Sequence, residues 1–66
     1  GITERSYVKL TVFNSAGQEI EKLIDQSLTP GTYLVKWNAV NNTSGVYFYR
    51  IETESFSEVR KMILIK

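Results

Sequence analysis

The sequence predicts an all-β fold, either a sandwich or a barrel, and three observations support this prediction. Apolar and polar residues alternate in several short segments, which is the pattern of strands with one buried face. Residues that favour turns, chiefly glycine, asparagine, serine and the single proline, separate these segments. No helical pattern is long enough to be stable without strong packing. A chain of 66 residues with these features is expected to form one domain with a small core.

The first strand is predicted at residues 7–14, and a hairpin turn is predicted directly after it. The alternation places Val8, Leu10 and Val12 on one face of this strand. The next residues, Asn-Ser-Ala-Gly-Gln at positions 14–18, are typical of a hairpin turn. A type I turn followed by Gly17 at a positive φ, which forms a bulge, suits this composition.

Residues 19–25 allow two interpretations. Ile20, Leu23 and Ile24 have the spacing of one helix face, whereas Ile20, Lys22 and Ile24 alternate as in a strand. Seven residues are too few for a helix that is stable by itself. The hairpin turn before them also favours a strand that returns beside the first, so we expect a strand here.

Three more strands are predicted in the remainder of the chain. Pro30 and Gly31 predict a type II turn, and residues 33–38 follow it as the third strand. Gly45 ends a loop and precedes the fourth strand, at residues 46–53, and residues 58–65 form the fifth. Trp37 is the only tryptophan and is expected to anchor the core. The expected core residues are Val8, Leu10, Val12, Val35, Trp37, Tyr47, Tyr49 and Ile51.

Composition and charge exclude several classes of function. The chain has no cysteine and no histidine, so it lacks the usual ligands of zinc and iron–sulfur sites, and we expect no metal and no cofactor. A net charge of +1 is too low for a nucleic-acid-binding surface. No apolar stretch approaches the roughly 20 residues that span a bilayer. Glu52 and Glu54 share a strand face, but no motif fixes a catalytic geometry, so we expect no enzyme and no catalytic residues.

Seven segments agree in order and spacing with one known family: VKLTVFN at 8–14, GQEI at 17–20, LID at 23–25, PGTY at 30–33, VKWNA at 35–39, SGVYFYRI at 44–51 and KMILIK at 61–66. Together they resemble the C-terminal sorting domain of the type IX (Por) secretion system, type A. This family is closely similar to the immunoglobulin-like domain of the flagellar hook-capping protein.

The resemblance implies an immunoglobulin-like antiparallel β-sandwich at the C-terminal end of a larger bacterial protein, which is secreted or held at the cell surface. Such a domain is recognised by outer-membrane export machinery after passage through the periplasm. It implies structural turns at Gly17, Pro30, Gly31 and Gly45. It also assigns export recognition to a closing segment that consists of Lys61, Met62, Ile63, Leu64, Ile65 and Lys66.

One departure from the family pattern concerns the beginning of the sequence. Family members usually have an additional first strand, and residues 1–6 are too few to contain it, so we expect them to be poorly ordered or the remnant of a linker. The whole of residues 1–66 is then one domain without its first strand. A sheet edge exposed by that loss would favour a homodimer by edge-strand pairing.

Two alternatives to the sorting function remain open. The domain could be a structural immunoglobulin-like module that packs against a neighbouring domain of an extracellular hydrolase, or that acts in flagellar hook assembly. A weaker alternative is a carbohydrate-binding module that uses Trp37 or the tyrosines. Exposed, coplanar rings would favour this last function, and buried rings would argue against it.

Overall fold

The computed structural model describes residues 4–66, which form one antiparallel sheet of four strands. The strands are β1 (Ser6–Asn14), β2 (Glu19–Leu28), β3 (Gly45–Glu52) and β4 (Ser57–Leu64). Their order across the sheet is β2-β1-β3-β4. No residue from 4 to 66 is in a helix, and none of this part of the chain could therefore cross a membrane as one. The prediction of an all-β fold is confirmed.

The turn between β1 and β2 is stabilised by hydrogen bonds from its own residues. The Gly17 amide donates to the Asn14 carbonyl and the Asn14 amide to the Gln18 carbonyl, both at 3.0 Å. The Asn14 side-chain oxygen also accepts from the amides of Ala16 and Gln18. Gly17 has a φ of 84°, which residues with a Cβ rarely adopt. These contacts have the form of a type I turn followed by a bulge.

Residues 19–25 form a strand, as expected, and β2 continues as far as Leu28. Its pairing with β1 shifts register twice: Leu10 faces Ile24 but Thr11 faces Lys22, and Val12 faces Glu21 but Phe13 faces Glu19. Leu23 and Ile20 are therefore the extra residues of two bulges. Bulges increase the local twist of a strand and interrupt the regular spacing of its hydrogen-bonding groups.

The strand predicted for residues 33–38 is not formed, because residues 32–39 are irregular. Alternation determines which side chains face the same way, but a strand also needs a neighbouring strand with which to pair. The type II turn predicted at Pro30 and Gly31 is also wrong, since Gly31 has a φ of 155° rather than about 80°. Gly31 instead forms an isolated bridge, and the irregular segment follows it.

The register of the strands defines two faces of the sheet. Leu10 lies opposite Ile51 and Val12 opposite Tyr49, so these side chains share one face, which we call the inner face. Residues of the intervening positions lie on the opposite, outer face. The segment between β2 and β3 covers part of the inner face, where the Trp37 ring packs edge-to-face on the Tyr47 ring with 5.1 Å between their centroids.

The core is small and lies at the inner face. Val8, Val12, Tyr47 and Leu28 are buried there, although Leu28 was not among the expected core residues. Half-burial is found for Leu10, Trp37, Tyr49 and Ile51. Val35, which we expected in the core, is exposed, because it belongs to the irregular segment and only borders the apolar surface. A second sheet, which a sandwich requires, is not formed by the described residues.

The hairpin between β3 and β4 closes on a four-residue turn. The Thr53 amide donates to the Phe56 carbonyl at 2.8 Å. The Thr53 hydroxyl accepts from the amides of Ser55 and Phe56, both at 3.2 Å. At the beginning of the chain, the six residues expected to form a linker fall partly outside the described residues, and Ser6 already belongs to β1.

Candidate functional site

The segment that the sequence singles out, residues 61–66, lies at the end of β4 and at the margin of the sheet. Residues 61–64 belong to β4, and Ile65 and Lys66 follow it. Because β4 pairs only with β3, this segment has a sheet neighbour on one side alone. The position gives access both to the side chains of one face and to the main chain of the outer edge.

Exposure alternates along this segment. Met62 and Leu64 are half-buried and lie opposite Tyr47 and Gly45 of β3. Ile63 is 65% exposed and Ile65 is 84% exposed, and Lys61 is exposed between Ile63 and the likewise exposed Val59. We call the side chains that point to solvent the exposed row: Val59, Lys61, Ile63 and Ile65. Along residues 61–65 the outer face is therefore the free one, although Glu58 and Arg60 on the inner face of β4 are exposed as well.

The exposed row is unusual for a solvent-facing strand position because three of its four side chains are apolar. Ile63 also lies opposite Val46, which is itself exposed, so the apolar surface extends to the neighbouring strand. Polar residues would be expected at such positions in the absence of a partner. Contiguous exposed apolar side chains commonly mark surfaces where another protein binds.

Lys66 fixes the end of the segment to the residues that precede β3. Its amide donates to the Ser44 hydroxyl at 3.0 Å, and its Nζ donates to the Val40 carbonyl at 2.9 Å. These two bonds hold the main chain beyond β4 in line with the strand. Ile65 therefore remains exposed on an ordered backbone, which reduces the conformational entropy that a partner would have to remove on binding.

Charges along β4 are mixed but basic overall. Glu58 and Arg60 form an ion pair with 3.0 Å between Oε1 and Nη2, and both side chains are at least half exposed. A pair at such a surface contributes little to stability. Lys61 has no ion-pair partner among residues 4–66. The middle of β4 thus presents two neighbouring cations to solvent.

The two carboxylates considered for catalysis have separate structural roles. Glu52 accepts a hydrogen bond from Arg50 Nε at 2.9 Å, and Glu54 accepts one from the Tyr7 amide at 3.2 Å. The Arg50 guanidinium also lies 4.8 Å from the centre of the Phe13 ring. Within residues 4–66 there is no cluster of acidic side chains that could hold a metal ion.

An open depression of about 360 Å³ lies on the inner face beside the irregular segment. Apolar side chains of β1, β2 and β3 line it together with Tyr33 and Val35, and Glu58 and Arg60 border it. The planes of the Trp37 and Tyr47 rings are inclined by 65°, and Tyr47 is buried with its hydroxyl bonded to the Thr43 carbonyl. These two rings offer no flat stacking surface, whereas Tyr7 and Tyr33 are exposed.

The sequence already contained the signal for the exposed row, because Lys61, Ile63 and Ile65 alternate with Met62 and Leu64. The apolar run alone could not indicate which set is buried. Val59 was not singled out, since it lies before the segment that the resemblance emphasised. Its contribution becomes visible only when β4 is placed at the margin of the sheet.

Comparison with known proteins gives one match. The family model described as "Secretion system C-terminal sorting domain" matches residues 2–66. No curated protein and no solved structure matches the chain at a significant level.

Proposed function

Because the chain belongs to the secretion system C-terminal sorting domain family, we propose that residues 61–66 are the element by which outer-membrane export machinery recognises it. The resemblance seen in the sequence is confirmed by this membership, which indicates a protein that is secreted or exported to the cell surface. A sorting domain interacts with secretion machinery and needs no chemistry of its own. We therefore propose a non-catalytic domain that directs a larger protein to export.

The observation that supports this function best is the apolar exposed row at the margin of the sheet. Ile63 in β4 and Ile65 just beyond it have most of their surface in solvent. Burying each against a receptor would contribute about 1–2 kcal/mol of binding free energy before the costs of association. Lys61 lies between Val59 and Ile63 and adds a charged contact that makes the row specific.

The test is the export of the full-length protein with the double substitution Ile63→Ser and Ile65→Ser. We expect export to fall by about tenfold or more, which corresponds to the loss of roughly 1.4 kcal/mol or more of recognition free energy. The measurement is the fraction of the protein outside the cell or on its surface compared with the fraction retained in the periplasm.

The matched control is Leu34→Ser with Val40→Ser, which also removes two exposed apolar side chains. Leu34 is 87% exposed and lies outside the proposed recognition segment. The control is expected to be exported like the native protein. Equal export of both double variants, with both folded, would contradict the proposal. Deletion of residues 61–66 should abolish export too, but it also removes half of β4 and so decides less.

A second candidate function is a structural module that packs against a neighbouring domain, and the apolar depression on the inner face favours it. If this were the main role, substitutions in the depression such as Val35→Asp would weaken contact with the rest of the protein while export continued. The homodimer by edge-strand pairing stays a prediction, which light scattering at high concentration would test.

A further inference from the structure

We propose that the outer edge of β4 binds an extended strand of the export receptor that carries acidic residues between apolar ones. The inference rests on the proposed function for the identity of the partner. It adds the mode of contact, which is main-chain pairing along the edge of the sheet. In this mode the partner becomes a fifth strand beside β4, and the side chains of the exposed row contribute to specificity.

β4 has the geometry that strand addition requires. It pairs with β3 from Ser57 to Leu64 with no register shift. No strand of residues 4–66 lies on its other side. It has no proline and no bulge, which are two of the devices that protect an edge, and its charged residues are the protection that it does have. Its eight residues are enough for a ladder of main-chain hydrogen bonds.

The direction of the free amides follows from the hydrogen bonds at both ends of the hairpin. Thr53 and Phe56 form a hydrogen-bonded pair, and such pairs alternate along an antiparallel ladder. The amides of Glu58, Arg60, Met62 and Leu64 therefore point toward β3. The Lys66 amide continues this series, since it donates to Ser44 just before β3. The amides of Val59, Lys61 and Ile63 consequently point outward from the sheet.

The charges of β4 determine the chemistry of the incoming strand. Arg60 and Lys61 are adjacent in the middle of β4 and point to opposite faces of the sheet. An acidic residue opposite Lys61 would form a cross-strand pair that contributes roughly 0.2–1 kcal/mol, and one opposite Arg60 would share that cation with Glu58. Val59, Met62 and Ile63 flank these cations and favour apolar partners. An extended segment with two central acidic residues flanked by apolar ones matches this pattern.

A second copy of β4 fits the same edge poorly. A pair with two-fold symmetry is antiparallel, and residues directly opposite each other must have side chains on the same face of the sheet. Two such registers overlap seven of the eight residues of β4, one with Arg60 opposite Arg60 and the other with Lys61 opposite Lys61. Like charges directly opposite each other destabilise a strand pair. The edge therefore favours an acidic partner over itself.

The first experiment separates the main-chain contact from the side-chain contact. Val59→Pro removes an outward amide without removing a bond to β3, and such edge positions tolerate proline. Val59→Thr also reduces the apolar surface at this position, but it keeps the main-chain amide. We expect export of the full-length protein to be about tenfold lower for Val59→Pro than for Val59→Thr, whose own smaller loss measures the contribution of the Val59 side chain.

The outcomes distinguish this inference from the proposed function. If Val59→Pro is exported like Val59→Thr while the Ile63 and Ile65 double variant is retained, strand addition is wrong and the recognition segment stands. If the double variant is also exported normally, the proposed function fails as well. An equal loss of export by both Val59 variants would mean that the Val59 side chain is recognised and its amide is not, which would likewise contradict the inference.

The second measurement does not depend on how well the proline variant folds. An octapeptide probe with two central glutamates flanked by valines is added to the native domain. Hydrogen exchange at the amides of Val59, Lys61 and Ile63 should slow by about tenfold at millimolar probe, because those amides acquire acceptors. A probe with two central lysines should leave the exchange unchanged. Equal effects of the two probes, or none from the acidic one, would overturn the inference.

Discussion

The two edges of the sheet differ in a way that bears on function. β2 has ten residues, two bulges in its pairing with β1, and four charged residues, Glu19, Glu21, Lys22 and Asp25. β4 has eight residues, continuous register with β3 and an apolar exposed row. Bulges and charges on an edge strand are the usual means by which proteins prevent unwanted pairing. β4 also has three charged residues among its eight, so the two edges are similarly charged and only the bulges make β2 the better protected edge.

The difference predicts that strand pairing with a partner occurs at β4 rather than at β2. An unprotected edge with regular geometry is an aggregation hazard unless something restricts its partners. On β4 the restriction comes from Arg60 and Lys61. These cations repel a second copy of β4 but attract a strand with acidic residues. The same two cations thereby oppose aggregation through β4 and select the partner strand.

The largest expected effect tests whether the two edges depend on one core. Val12 is fully buried at 0% exposure in β1, and it pairs with both Glu21 of β2 and Tyr49 of β3. Val12→Ala should lower the free energy of unfolding by about 2 kcal/mol, because it leaves a cavity that the neighbours fill only partly. Chemical denaturation measures this loss.

The matched control is Val40→Ala, since Val40 is exposed and its truncation should cost less than about 0.5 kcal/mol. Hydrogen exchange should also accelerate at β2 and β4 alike in the Val12 variant. Acceleration confined to one edge would mean that the two edges are held by separate cores, and the comparison would then need another explanation.

A smaller effect is expected from removing the charges of each edge in turn. Arg60→Thr with Lys61→Thr should strengthen self-association of the domain by about tenfold, because the like-charge contacts of a β4 pair disappear. Glu21→Thr with Lys22→Thr on β2 should leave association unchanged, because the bulges remain. Sedimentation equilibrium of both variants and of the native chain measures the association constants. An equal increase for both variants would refute the protective role of the bulges.

The sequence predicted the hairpin of β1 because its signals are local. Alternation specified the face, and Asn14 to Gln18 specified the turn. In β2, the apparent helix spacing of Ile20, Leu23 and Ile24 has a structural explanation. Leu23 and Ile20 are the extra residues of the two bulges. At each bulge the strict alternation of inward and outward side chains is interrupted by one residue. All three are half-buried, so the spacing reflects a strand interrupted twice rather than a helix.

Residues 33–38 show what local patterns cannot specify. Their alternation correctly separates Tyr33 and Val35, which border the inner-face depression, from Leu34, which is almost fully exposed. Whether such a segment becomes a strand depends on a partner elsewhere in the chain. The sequence of residues 33–38 contains no information about that partner. For the candidate site, the sequence located the segment, and only the sheet order revealed its free face and edge.

The smallest expected effect concerns a side-chain contact that links the edge strand β2 to β1. The Tyr7 hydroxyl of β1 donates a hydrogen bond to Asp25 Oδ1 of β2. This bond is the main reason why the pKa of Tyr7 lies above its ordinary value of 10.0, with burial and the negative charge of Asp25 adding to it. A raised pKa means that the bond contributes fully below pH 10 and is lost as the pH rises through the pKa of the folded state.

Asp25→Asn should therefore return the pKa of Tyr7 toward 10.0, since the amide carries no charge and accepts a weaker hydrogen bond. NMR titration of the Tyr7 ring signals measures the change, and Glu21→Gln serves as the control because it removes a carboxylate of β2 that does not contact Tyr7. If the two variants titrate alike, Asp25 does not fasten β2 to β1. The stability of that edge would then rest on the bulged ladder alone, and the contrast with β4 would be one of backbone geometry rather than of side-chain contacts.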